Sequence, residues 1–269
     1  MTAAELLRAG RLSDARSHLV NTIKERPGDT SSRNLLFQVL AFLGEWDKAL
    51  RQLDILGLQH PGPESAVNLY GKLVAAENER SLVFAGERIP SFMTTEPPFL
   101  QASFNFRECL SSGQIDEALE LFDTIETMVP DVTGRMDGAE FNGFCNTDVS
   151  LAHYLEVFIH ERYLWVPFTS LRELCVNRPV TFLDLLWIPA RIVTWEGLTS
   201  NCYLPVLYPD SSSHPDERVR MGKMTDWRDN GGGLYRGFGQ QVFNVGNKEI
   251  AILELNEITF TTGFSGAGS

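Results

Sequence analysis

The sequence predicts an α+β protein. An N-terminal tetratricopeptide-like α-helical repeat occupies residues 1–130. A small β-rich C-terminal domain, a twisted sheet or partly closed barrel, follows over residues 131–260, and residues 261–269 form a flexible tail. Three observations predict this. A Gly followed five residues later by an Ala recurs in three segments of the first half that also close on Pro. The 3.6-residue apolar period fades after Pro130. Short aromatic runs punctuated by Pro then take its place.

The repeat is read from three segments, Leu6 to Gly28, Val39 to Gly62 and Glu108 to Pro130. Their Gly–Ala pairs are Gly10 and Ala15, Gly44 and Ala49, Gly113 and Ala118, and the segments close on Pro27, Pro61 and Pro130. The glycines are 34 and then 69 residues apart, close to one and two tetratricopeptide periods. Gly lets the chain turn at positive φ between two helices, the small Ala lets the paired helix approach, and Pro ends the unit. Apolar stripes at helical spacing support the second helix of each pair: Ala15, Leu19 and Ile23; Ala49, Leu53 and Leu56; Ala118, Phe122 and Ile125. Leu35 to Leu43 is apolar nearly all round and reads as a central buried helix. Glu64 to Arg88 is helical in pattern and reads as a degenerate unit. Six or seven helices are expected in all. A plain helical bundle with matching loops is the alternative.

Beyond Pro130, Asp131 to Asp148 reads as a connection rich in turn formers, with Asp148 capping a short helix from Val149 to His160. Strand-type runs follow at Tyr163–Phe168, Ala190–Trp195 and Tyr203–Tyr208. Gln241–Val245 and Lys248–Leu255 flank Gly246-Asn247, a two-residue hairpin signal. Asp210–Ser213 and Asn230–Gly233 read as surface loops.

Composition narrows the function classes. The net charge is −12, spread evenly over both halves. A nucleic-acid or anionic-membrane binder needs a cationic face, so neither is an expected partner. The most apolar stretch, Phe182 to Val193, is broken by Asp184, Pro189 and Arg191 and is too short to span a bilayer. The N-terminal residues read as structure rather than as a signal peptide. Cys109, Cys145, Cys175 and Cys202 form no C-x-x-C pair and read as small buried hydrophobes of a reduced, cytoplasmic protein.

Motifs of catalysis are mostly missing. There is no H-E-x-x-H, no Walker A loop and no G-x-S-x-G elbow, and Gly231, Gly233 and Gly237 miss the dinucleotide spacing by one residue. His153 and His160, seven apart, read as ordinary helix histidines without a third metal ligand. Asp226 and Asp229 around Trp227-Arg228 read as a turn with a local ion pair. A hydrolase or transferase remains an alternative only if His153, His160, Asp226 and Asp229 converge in one pocket. No metal and no cofactor is expected.

The aromatics of the second half carry the most specific signal. YLWVPF at Tyr163, DLLWIPARIVTWEG, NCYLPVLYP, MTDWRD and GQQVFNVG, behind a helical repeat, resemble the ImpE/TagJ family of bacterial type VI secretion accessory proteins, over about residues 4–258. The resemblance implies a cytoplasmic, non-catalytic protein that binds the N-terminal helix of the small subunit of the contractile sheath. An indirect link to the sheath-disassembling AAA+ ATPase is a further implication. A helical-repeat chaperone for another exported protein is the alternative of the same type. Repeats of this kind present a concave face suited to an amphipathic helix. First-helix positions usually line it, which selects Arg33, Phe37 and Tyr70. In the C-terminal part, Trp165 and Trp227 are the expected exposed contacts.

Overall fold

A computed structural model describes residues 1–59 and 66–261. The expected Pro61 and Gly62 that close the second repeat, the start of the Glu64–Arg88 unit, and tail residues 262–269 lie outside the described residues. Among the described residues, seven helices form the first half: α1 (Ala3–Arg8), α2 (Leu12–Glu25), α3 (Thr30–Phe42), α4 (Trp46–Gln59), α5 (Ala66–Phe84), α6 (Leu100–Ser112) and α7 (Ile115–Met128). The repeat signal has its expected physical meaning. Gly10, Gly44 and Gly113 sit between paired helices at φ of 75°, 66° and 76°, and Ala15, Ala49 and Ala118 are fully buried against the partner helix. The two-residue strand β1 (Ser91–Phe92) separates α5 from α6.

The second half contains β2 (Thr133–Met136), β3 (Ala139–Asn142), β4 (Phe144–Asn146), β5 (Tyr154–Ile159), β6 (Arg162–Pro167), β7 (Leu171–Val176), β8 (Trp187–Thr194), β9 (Thr199–Pro205), the one-turn helix α8 (Glu217–Arg220), β10 (Thr225–Asp229), β11 (Tyr235–Gly239), β12 (Val242–Val245), β13 (Lys248–Ala251) and β14 (Glu257–Phe260). Nine strands make one sheet in the order β1-β6-β5-β9-β8-β7-β14-β2-β3, antiparallel except for β1 against β6. A β13-β12-β4 sheet and a β10–β11 ribbon complete the β structure. The sheets are open, so the partly closed barrel is not formed. The hairpin at Gly246-Asn247 pairs Val245 with Lys248, as the spacing predicts.

Two local expectations fail. Val149–His160 is not a helix, because residues 154–159 are strand β5. Tyr154 to Phe158 are all buried, so both faces are apolar and the alternation that marks a strand is absent. Asp131–Asp148 is not a bare connection, because it holds three strands. Asp137 and Gly138, at φ of 50° and 84°, make the two-residue turn of the β2–β3 hairpin. Gly134 lies inside β2 because a Cβ there would stand 2.3 Å from the Thr259 carbonyl oxygen on β14.

The two halves share one core. Phe42 of α3 meets Phe182 at 4.7 Å between ring centroids, and Trp46 of α4 and Tyr70 of α5 stack on Trp187 of β8 at 6.2 and 6.3 Å. The C-terminal half also finishes the helices. The Glu217 carboxylate of α8 accepts from the Leu12 and Ser13 amides at 2.7 and 2.9 Å, capping α2 where Arg11 offers no side-chain cap. Lys223 Nζ donates to the Leu7 and Arg8 carbonyls at the end of α1, at 2.8 and 3.0 Å.

Candidate functional site

The face expected to receive a partner is largely occupied by the chain itself. Phe37 is fully buried, 5.6 Å from the Tyr70 ring. Arg33 is buried and acts as a brace: Nη1 donates to Gln52 Oε1 at 2.8 Å and Nη2 to the Pro27 carbonyl at 2.9 Å. Tyr70 is half-buried against Trp187. Trp165, expected to be exposed, is fully buried, with its ring beside Tyr154 and the Arg107 guanidinium at 5.0 Å. A large aromatic in a strand covered on both faces has no route to solvent. Trp227 alone of the five is substantially exposed, at 40%.

A buried polar network joins helices to sheet. Arg80 of α5 donates through Nε and Nη2 to the two carboxylate oxygens of Glu156 on β5, both at 2.7 Å, and through Nη2 to the Leu207 carbonyl at 2.8 Å. Glu156 also accepts from Tyr163 Oη at 2.6 Å and Gln241 Nε2 at 2.8 Å. Glu77, one turn from Arg80, accepts from Trp187 Nε1 at 2.9 Å. Desolvation pulls the Arg80 pKa down, but Glu156 and Glu77 outweigh it and hold it above the ordinary arginine value. Burial pushes the Glu77 carboxyl up, against the pull of Arg80. These partners are saturated, which describes a structural clamp rather than a reactive centre. Sequence reading missed the clamp, because Glu77 and Arg80 stand in the polar stretch 77–81 of α5, where nothing marks them off from Asn78 and Glu79.

The open feature is a cavity of about 630 Å³ between the C-terminal half of α7, β4, the Phe168–Ser170 turn and the β10–β11 ribbon. Phe122, Val129, Phe144 and Phe168 supply apolar wall, and Trp227 and Tyr235, the latter 44% exposed, stand at its mouth. Glu126, Asp131 and Glu249 place carboxylates around it. Two polar atoms in the lining lack hydrogen-bond partners. Thr169 is 2% exposed and its Oγ1 is unpaired, which costs about 1–3 kcal/mol in an unliganded protein. His153 Nε2 lies 2.9 Å from Glu126 Oε1, close enough for an ion pair but without the alignment of a hydrogen bond. That contact holds the Glu126 carboxyl below the usual range.

The four groups of the enzyme alternative do not converge. His153 lines this cavity. His160, in the β5–β6 turn at φ 56°, lines another with Asn68 and Lys72. Asp226 and Asp229 lie in strand β10, not in a turn with its own ion pair: Asp226 faces His214 at 3.3 Å, and Asp229 accepts from the Gly231 amide. Among the described residues, no group of three or more His, Cys, Asp or Glu is placed to hold a metal ion, and no helix is long and apolar enough to cross a membrane. Of the cysteines expected to be buried, only Cys202 is; Cys109, Cys145 and Cys175 are partly exposed.

Comparison with known proteins adds three findings. The family model described as ImpE protein matches residues 138–259, and a tetratricopeptide repeat model matches residues 6–73, which contain the first two repeat copies. The chain is 32% identical over 260 residues to the type VI secretion system accessory component TagJ of Pseudomonas aeruginosa, covering 97% of this chain and 91% of that protein. A crystal structure of a Vibrio parahaemolyticus protein superposes with a TM-score of 0.88 at 22% identity, over 97% of this chain and 98% of that one, and so shares the fold.

Proposed function

The chain belongs to the ImpE family, and from that premise we propose that it serves a type VI secretion system as a non-catalytic, cytoplasmic adaptor that binds the N-terminal helix of the small sheath subunit. Its action is on sheath assembly or recycling, and its connection to the sheath-disassembling AAA+ ATPase is indirect, through that subunit. The observation that carries the reading is the similarity to a type VI secretion accessory component along nearly the whole chain. The tetratricopeptide region supports it, because such arrays work by protein contact.

Of the contacts expected from sequence, Trp227 is retained as a partner residue. Arg33, Phe37, Tyr70 and Trp165 hold the scaffold on which the contact is built. Titrating a peptide of the small sheath subunit's N-terminal helix into the full chain by calorimetry tests the reading. Saturable binding is expected. Absence of heat, together with failure of the whole subunit to co-elute with the chain, contradicts it.

A further inference from the structure

We propose that the cavity beneath α7 is the anchor pocket for a basic segment of the partner, which sets a bulky apolar side chain against the wall that Phe122, Phe144 and Phe168 help to form and flanking Lys or Arg against the acidic rim. This rests on the adaptor reading and adds the site and the chemistry recognised there. Three independent features carry it.

The first is charge. Helix α7 exposes Asp116, Glu117, Glu120, Asp123 and Glu126 and contains no Lys or Arg. Glu249 and Asp131 extend the acidic surface around the cavity mouth. The nearby cations of the ribbon face elsewhere: Arg236 donates to Asp148 at 3.1 Å, and Arg228 lies 4.8 Å from the Phe238 ring centroid. A segment of opposite charge is therefore steered to this side and held in register. The second is the unpaired hydroxyl of Thr169, almost wholly buried in the lining; an incoming backbone or side-chain polar group satisfies it. The third is the aromatic pair at the mouth. Trp227 and Tyr235 stand exposed on a ribbon whose Gly231–Gly233 turn is seated on α7, where Gly231 and Gly232 lie against Ile115 and Leu119. Aromatics with one wet edge around a partly apolar pocket are the usual anchors of a protein interface.

The test uses the full chain and the purified small sheath subunit as probe. Glu126→Lys with Glu249→Lys reverses the rim at two exposed positions. Glu25→Lys with Asp54→Lys makes the same change of net charge on exposed positions of α2 and α4. The rim variant is expected to weaken binding about tenfold or more at low salt, with the difference shrinking as salt is raised. The distant variant is expected to stay within about twofold of the unaltered chain. Thr169→Val, which keeps the side-chain shape, is expected to weaken binding severalfold, with the circular dichroism spectrum unchanged. Equal behaviour of the rim and distant variants overturns the pocket while leaving the adaptor reading intact, and assigns the cavity to another occupant such as a small metabolite or a second copy of the chain. If the unaltered chain does not bind the subunit, the adaptor reading falls, and the pocket proposal with it.

Discussion

Arg80 shows what a single residue contributes to this fold. Its guanidinium is buried where helix α5 meets strand β5, and it is tolerated there because Glu156, Glu77 and the Leu207 carbonyl surround it. Arg80→Met strands two buried carboxylates, and a loss of about 3–5 kcal/mol in unfolding free energy by urea titration is expected. The sign with pH follows. Burial already pushes the Glu77 carboxyl up against the pull of Arg80, so without the cation its folded-state pKa stands further above the unfolded one. The variant therefore keeps most stability below the unfolded carboxylate pKa, near 4.3, and loses it as pH rises through the folded value of Glu77. A second residue-scale prediction runs the other way. Thr169→Val removes the cost of an unpaired buried hydroxyl, so the free protein should gain about 1 kcal/mol in the same assay while binding its partner less well. Burial also pushes the Cys202 thiol up to about 12. Alkylation at pH 8, followed by mass spectrometry, should modify the partly exposed Cys109, Cys145 and Cys175 first and Cys202 only on unfolding.

At the scale of elements, the most informative is α8, a single turn that caps a helix it is far from in sequence. Glu217→Ala removes the acceptor for the Leu12 and Ser13 amides, and a cost of about 1 kcal/mol in thermal unfolding is expected, with loss of exchange protection concentrated in the first turn of α2. Nothing in the N-terminal sequence announces this cap, because the acceptor arrives from the other half of the chain. Helices were legible where a local rule sufficed: a Gly at positive φ and an Ala at each close approach recur with the repeat. Strands were legible where a turn signal or a proline bounded them, as at Gly246-Asn247. They were not where burial removed the alternation, as in β5. The Asp137-Gly138 turn obeys the same hairpin rule as Gly246-Asn247. Its strands, TGRM and AEFN, have too few apolar residues to stand out in the sequence.

For the molecule as a whole, the consequence is that the β structure is not an appendage. It packs on the helical array through Phe182 and Trp187 and closes on Arg80. The expected concave groove, read from the repeat alone, is therefore already in use: Arg33, Phe37 and Tyr70 were placed by a rule that assumes an empty inner face, and Trp165 by an expectation of exposure that its burial in β6 removes. The cavity beneath α7 was illegible for a different reason: its lining comes from separate stretches between Phe122 and Glu249, with no spacing a single sequence displays. Calorimetry of the full chain should show one cooperative unfolding transition, because separating the halves exposes their shared core.

The central claim is that a partner approaches the α7 side of the molecule and not the inner face of the repeat. Hydrogen exchange of the full chain, with and without the small sheath subunit, tests it most directly. The account predicts added protection over residues 122–132, 143–153 and 225–237, with α3 and α5 unchanged. Protection confined to α1, α3 and α5, with the α7 cavity and the ribbon unaffected, would contradict it.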